Sequence, residues 1–164
     1  MGHEDEVDRI VAAWRRERPD VDVSPMHVLS RISRVAHHVD QARKAAFSAH
    51  EIEPWEFDVL SALRRSGDPY ELSPGRLVAE TLVTSGTMTN RIDRLAARGL
   101  VERHPDPDDR RGVLVRLTDA GRSRVDAAVA ELLDREAELL AGLDPAGLER
   151  LTADLRDLLG PFDD

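Results

Sequence analysis

Apolar residues recur along this chain mostly at intervals of three and four, the period of an amphipathic helix. The first such run spans about Glu4 to Arg18, with Val7, Ile10, Val11 and Trp14 at helical spacing, and stops before Pro19. After a short linker at 20–23, Ser24-Pro25 sets a capping residue ahead of a proline at a first helical position, where the missing amide is harmless. Met26, Val28, Leu29, Ile32, Val35, Ala36 and Val39 then predict a long helix to about Ala49. Glu53-Pro54 opens a third helix carrying Trp55, Phe57, Val59, Leu60 and Leu63, closed by the turn signal Ser66-Gly67-Asp68-Pro69.

A short helix follows from Ser73-Pro74 through Leu77, Val78 and Ala79, then a turn at Thr81–Thr84 and a helix from about Ser85 to Arg98. Gly99 supplies its C-terminal cap. Beyond it the period changes. Leu100–Arg103 and Val113–Leu117 alternate like strands, and the polar, turn-rich segment between them makes a hairpin with a long tip. Thr118-Asp119 caps a long amphipathic helix to about Leu140, and Asp144-Pro145 starts the last one, which runs to Leu159. The pattern predicts a mainly α chain with a small β-hairpin wing.

A short helix, a tight turn, a second helix and a two-stranded hairpin is the layout of a winged helix-turn-helix. In that layout the second helix enters the major groove of DNA and the hairpin tip follows the backbone or the minor groove. Ser85, Thr87, Thr89, Asn90, Arg91 and Arg94 are then the candidate DNA contacts, while Met88, Ile92 and Leu95 face the core. The small, hydroxyl-bearing first turn allows close approach to phosphate, and its free amides face anions. At the hairpin tip, Asp109, Arg110 and Arg111 are candidates because acids at this spacing can orient a guanidinium for a narrow minor groove of high negative potential. A solvated capping run and a solvated loop are the bland alternatives for these two segments.

The net charge of −9 at first argues against nucleic acid. Distribution changes that picture: residues 85–116 hold seven arginines against five acids, a locally basic window in an acidic protein. The chain has no cysteine, so disulfides, thiolate metal sites and a cysteine nucleophile are excluded. The acidic, polar start and the lack of a long apolar run predict a cytoplasmic protein without signal peptide or membrane span. No phosphate-binding glycine loop, dinucleotide fingerprint or activated nucleophile is present, so an enzyme is not expected. His37-His38, with His27 and His50, do not make a metal set, because adjacent helical residues point about 100° apart and zinc needs three or four converging ligands. No cofactor is expected.

The stretch from Ser85-Gly86-Thr87-Met88-Thr89-Asn90-Arg91-Ile92-Asp93-Arg94-Leu95 through Arg98-Gly99-Leu100-Val101 resembles the recognition helix and following strand of the MarR family of transcription regulators. Asp109-Arg110-Arg111-Gly112-Val113-Leu114-Val115-Arg116-Leu117-Thr118 resembles the family's wing and return strand, where Asp-x-Arg at the tip is characteristic. The resemblance implies that Arg111 enters the minor groove, that Asp109 orients it and that Arg110 makes a second phosphate contact. It also implies a homodimer with interlocked terminal helices. The apolar faces agree in kind: Val125, Val129, Leu132, Leu133 and Leu139, with Leu148, Leu151, Leu155 and Leu158, exceed what one small domain buries, with intramolecular packing alone as the alternative. Residues 1–50 would then be N-terminal dimerisation helices that contribute to a ligand pocket. Residues 51–117 would form the winged helix-turn-helix lobe, and 118–164 the C-terminal dimerisation helices.

The extra first helix with Trp14, followed by Arg18-Pro19-Asp20 and Ser24-Pro25, is similar to the urate-responsive and PecS-like branch of that family. The resemblance implies a pocket for a small anionic or aromatic-acid ligand lined by Trp14, Asp58, Arg65 and Arg103. Asp58 and Arg65 are seven apart, on one helical face. Packing for Trp14, an ion pair with a neighbouring arginine for Asp58 and a DNA phosphate for Arg65 are the other uses open to these residues. The function expected is a repressor that binds a pseudo-palindromic double-stranded operator as a dimer and is released by the anion. A winged-helix regulator without a ligand and a protein-interaction module are the alternatives.

Overall fold

The structure, a computed structural model, describes residues 4–107, 109 and 112–162. The chain forms two compact units, one up to residue 42 and one from residue 43 onward.

In the first unit, α1 (Glu6–Glu17) is closed at its start by a reciprocal box: the Asp8 amide donates to Asp5 and the Asp5 amide to Asp8. This satisfies two of the amides that every helix start leaves orphaned. Val7 and Val11 are buried against Val23 and Met26, the latter opening α2 (Met26–Ala49). Arg31 of α2 locks the two helices electrostatically, 2.8 Å from both Asp5 and Asp8. Hydrogen bonds from the Arg31 guanidinium, and then the local backbone amides, hold both carboxyls below the usual aspartate range. A depressed folded-state pKa stabilises the pairing above the unfolded pKa and loses it as pH falls through the folded one. Amide protection of α1 should therefore be flat from neutral pH to about pH 5 and drop below about pH 4, as read by hydrogen exchange. Protection that stayed flat below about pH 4 would show that these carboxylates do not hold α1.

The second unit is built on α3 (Pro54–Arg65), whose Val59, Leu60 and Leu63 are fully buried. Around it pack α4 (Pro74–Thr81), α5 (Ser85–Ala97), a three-stranded antiparallel sheet and α6 (Asp119–Leu140). The sheet order is β1 (Glu71–Leu72), β3 (Val113–Leu117), β2 (Val101–Pro105), with Val101 opposite Leu117 and Pro105 opposite Val113. The hairpin matches the expected wing; β1, which pairs Glu71 with Arg116 and Leu72 with Val115, was not expected. α7 (Pro145–Leu159) and a single 3-10 turn at Gly160–Phe162 complete the described chain.

Capping chemistry sets the boundaries. Ser73, Thr84, Thr118 and Asp144 each accept an amide from the first turn of the helix that follows. α5 ends in a Schellman motif: the Leu100 amide reaches the Leu95 carbonyl and the Gly99 amide reaches that of Ala96. Gly99 adopts φ +69°, which glycine reaches without strain. The chain then passes Gly121, where a β-carbon would lie 2.0 Å from the Leu100 carbonyl oxygen. Only glycine lets α6 start this close to the strand leaving α5.

Candidate nucleic-acid interface

α5 presents the face its spacing predicts. Met88, Ile92 and Leu95 are buried, while Ser85, Gly86, Thr87, Thr89, Asn90 and Arg94 are exposed and Arg91 is half-buried. The turn before it places Leu82 in the left-handed region at φ 53°, an uncommon conformation for a branched side chain. Thr84 then caps the helix, and its hydroxyl lies 2.9 Å from that of Thr87. The Thr89 hydroxyl donates to the Ser85 carbonyl at 3.1 Å and keeps its lone pairs for an outside donor.

The arginines nearest α5 differ in what holds them. Arg98, Arg103, Arg65 and Arg116 are paired with Glu56, Asp93, Glu80 and Glu71. Among the described residues, Arg91 and Arg94 have no carboxylate within salt-bridge distance. Their guanidinium carbons lie instead 5.6 and 4.6 Å from the centroid of the Trp55 ring. Trp55, Gly86, Thr87, Asn90, Arg91 and Arg94 line one open depression of about 460 Å³.

At the wing, the Asp106 amide donates to the Gly112 carbonyl and the Gly112 amide to that of Asp109, which closes the base of the tip. Asp109 is exposed. Arg110 and Arg111 lie outside the described residues. The sheet beneath the wing is held by Glu71 of β1, whose carboxylate accepts from Arg116 of β3 at 2.7–2.9 Å and lies 2.8 Å from the His104 ring of β2.

The residues read as a ligand pocket have these positions. Trp14, in the first unit, is 49% exposed. In the second unit Asp58 lies 3.9 Å from Arg43, whose guanidinium covers the stacked Phe47 and Phe57 rings. Arg65 donates to the Ser61 hydroxyl and lies 3.7 Å from Glu80. Arg103 pairs with Asp93 of α5, so it couples β2 to the middle of that helix. Asp58 and Arg65 share α3, but their nearest charged partners come from different elements. Among the described residues no group of three histidines or acids is arranged to hold a metal ion, and no helix is long and apolar enough to cross a membrane.

This arrangement has relatives. The MarR family profile matches residues 50–112. The HTH-type transcriptional regulator PecS of Dickeya dadantii is 41% identical over 155 residues, covering 94% of this chain and 91% of its own. The chain belongs to the MarR family. Two solved structures extend the likeness. A MarR variant from E. coli complexed with operator DNA superposes with a TM-score of 0.63 at 28% identity, over 85% of this chain and 99% of that one. BpsR of Bordetella bronchiseptica, whose DNA binding is described as regulated by 6-hydroxynicotinic acid, gives 0.62 at 31% identity over 79% and 91%.

Membership in the MarR family fits the winged helix-turn-helix and the regulator reading of its relatives. Two features escaped the sequence. Trp55 follows the apolar period of α3, which gives no sign that its ring lies against Arg91 and Arg94 of α5. Glu56, on the same turn, is buried and takes the guanidinium of Arg98. The one signal for Glu56 was its place three residues after Glu53, where its carboxylate accepts the Glu53 amide at 3.0 Å.

Proposed function

We infer that this MarR-family chain is a cytoplasmic repressor that binds a pseudo-palindromic operator as a homodimer, with α5 in the major groove and the wing tip on the minor groove. The observation that carries the reading is the exposed face of α5, where Arg91 and Arg94 stand beside Thr87 and Asn90 with no carboxylate partner among the described residues. Arginine on such a face can meet guanine edges bidentately or neutralise phosphates, and asparagine suits adenine. The operator-bound relative supports the same use of the fold. Arg111, oriented by Asp109, is assigned to the minor groove and Arg110 to a phosphate.

A small anion is proposed to release the operator, with Trp14, Asp58, Arg65 and Arg103 as its candidate contacts. An anion at Arg103 would compete with Asp93, a residue of α5, and so reach the reading helix directly. For release, the anion must bind the DNA-incompetent arrangement more tightly, and a tenfold loss of operator affinity needs about 1.4 kcal/mol of such coupling. The regulated relative BpsR supports the ligand class.

Titration of labelled promoter DNA from the protein's own locus, with and without urate, salicylate and citrate, tests both parts. Wild type should bind a palindromic site. Arg111→Ala should bind more weakly, with a salt slope shallower by about one. An unchanged slope would remove Arg111 from the interface. Failure of all three anions to shift wild-type binding, while the operator is bound, would leave a regulator without these ligands. Failure to bind any selected genomic fragment would favour a protein-interaction module.

A further inference from the structure

We propose that Trp55 is a positioning residue for DNA recognition, its indole being the platform that holds Arg91 and Arg94 toward the nucleic acid. The inference rests on the reading of α5 as the helix that enters the groove. Trp55 is the second residue of α3, locally set by Pro54 at the first position. It is half-buried and packs against the lobe core, which fixes the ring. Its remaining surface meets α5, with Arg94 at 4.6 Å and Arg91 at 5.6 Å from the ring centroid. Both distances are within the reach of the attraction between a cation and the indole quadrupole, which is the strongest among the aromatic side chains.

The choice of partner is informative. Arg98, Arg103 and Arg116 are held by carboxylates, which neutralise the charge they bind. A carboxylate beside Arg91 or Arg94 would repel phosphate and would have to be displaced before DNA could bind. An aromatic ring restrains a guanidinium without an opposing charge and leaves its in-plane N–H donors available for a phosphate or a guanine edge. Two cations at one ring also repel each other, and an arriving anion relieves that repulsion. Trp55 thus reduces the freedom the arginines lose on binding while touching neither base nor phosphate.

The test is operator affinity, measured by fluorescence anisotropy at several salt concentrations on a duplex that the wild-type dimer selects from random sequence. Trp55→Leu should weaken binding about tenfold, whereas Trp55→Tyr, which keeps a ring, should recover most of the affinity. In an Arg91→Ala/Arg94→Ala background, Trp55→Leu should weaken binding no further. Thermal unfolding of each variant is read alongside; if Trp55→Leu does not fold, Trp55→Phe and Trp55→Tyr are compared in both backgrounds in the same way. Equal losses with and without the arginines would make Trp55 a general support of the lobe and overturn the proposal. Weakened arginine variants beside an unaffected Trp55→Leu would overturn it alone. Full affinity without the arginines, or a wild type that selects no duplex, would overturn it together with the reading of α5.

Discussion

Arg98→Ala should lower the stability of the DNA-binding lobe by about 3 kcal/mol, read as a shift of the urea midpoint at unchanged slope. Glu56 lies on the first turn of α3 at 1% exposure, so its carboxylate is out of reach of bulk water. It accepts the Glu53 amide at 3.0 Å and the Arg98 guanidinium, and the same guanidinium donates to the Glu51 carbonyl at 2.7 Å. One side chain at the end of α5 thus satisfies both an otherwise uncompensated charge and a carbonyl in the turn before α3. Removing one partner of such a pair costs far more than the pair contributes against an apolar replacement. The expected loss is at the low end of the usual range because Arg98 is 35% exposed and water can enter the gap it leaves. Glu56→Gln in the same background should recover part of it by removing the buried charge. A midpoint within about 0.5 kcal/mol of wild type, the range of ordinary surface substitutions, would show that the pair does not brace α5 against α3.

That pair also marks where the sequence stops being legible. The helices and their starts were readable because the determining residues are neighbours: Ser73-Pro74, Thr118-Asp119 and Asp144-Pro145 each write a cap within two residues. The inward face of α5 was readable for the same reason, since Met88, Ile92 and Leu95 follow the helical period into the core. Glu56 and Arg98 are forty-two positions apart, and nothing local in either names the other. β1 is not legible locally because two residues cannot display an alternating pattern; it exists only through its pairing with β3 and the Leu117 amide bonded to the Tyr70 carbonyl. Spacing put Asp58 and Arg65 on one face of α3, but it could not show that Arg43 and Glu80 would stand next to them. The arginines of the wing tip were legible as motif and lie outside the described residues.

The largest effect is expected from α7. Leu151→Asp/Leu155→Asp should convert the proposed dimer to a monomer in sedimentation and weaken operator binding by about a thousandfold or more, toward the non-specific level. α7 carries no buried residue within its own chain, and Leu151, Leu155 and Leu158 are each more than a third exposed, at helical spacing. Leu133, Leu139 and Leu140 of α6 and Leu143 after it add to this uncovered surface. Scattered exposed leucines need no explanation, but a fifteen-residue helix with an unburied leucine face does. A helix this short is marginal in water without tertiary packing, so a second copy of the chain is the proposed cover. Burial of a leucine contributes roughly 1.5–3 kcal/mol, and in a two-fold interface each substitution acts on both protomers. The double variant therefore removes on the order of 6–12 kcal/mol, enough to dissociate a nanomolar dimer at micromolar concentration. The lobe itself should stay folded, because Val125, Ala128 and Leu132 of α6 pack with its own core rather than with α7. Monomers that retain a cooperative unfolding transition yet lose the operator would tie recognition to paired half-sites spaced by one helical turn. A variant that remains dimeric with full operator affinity would place the interface elsewhere than on α7.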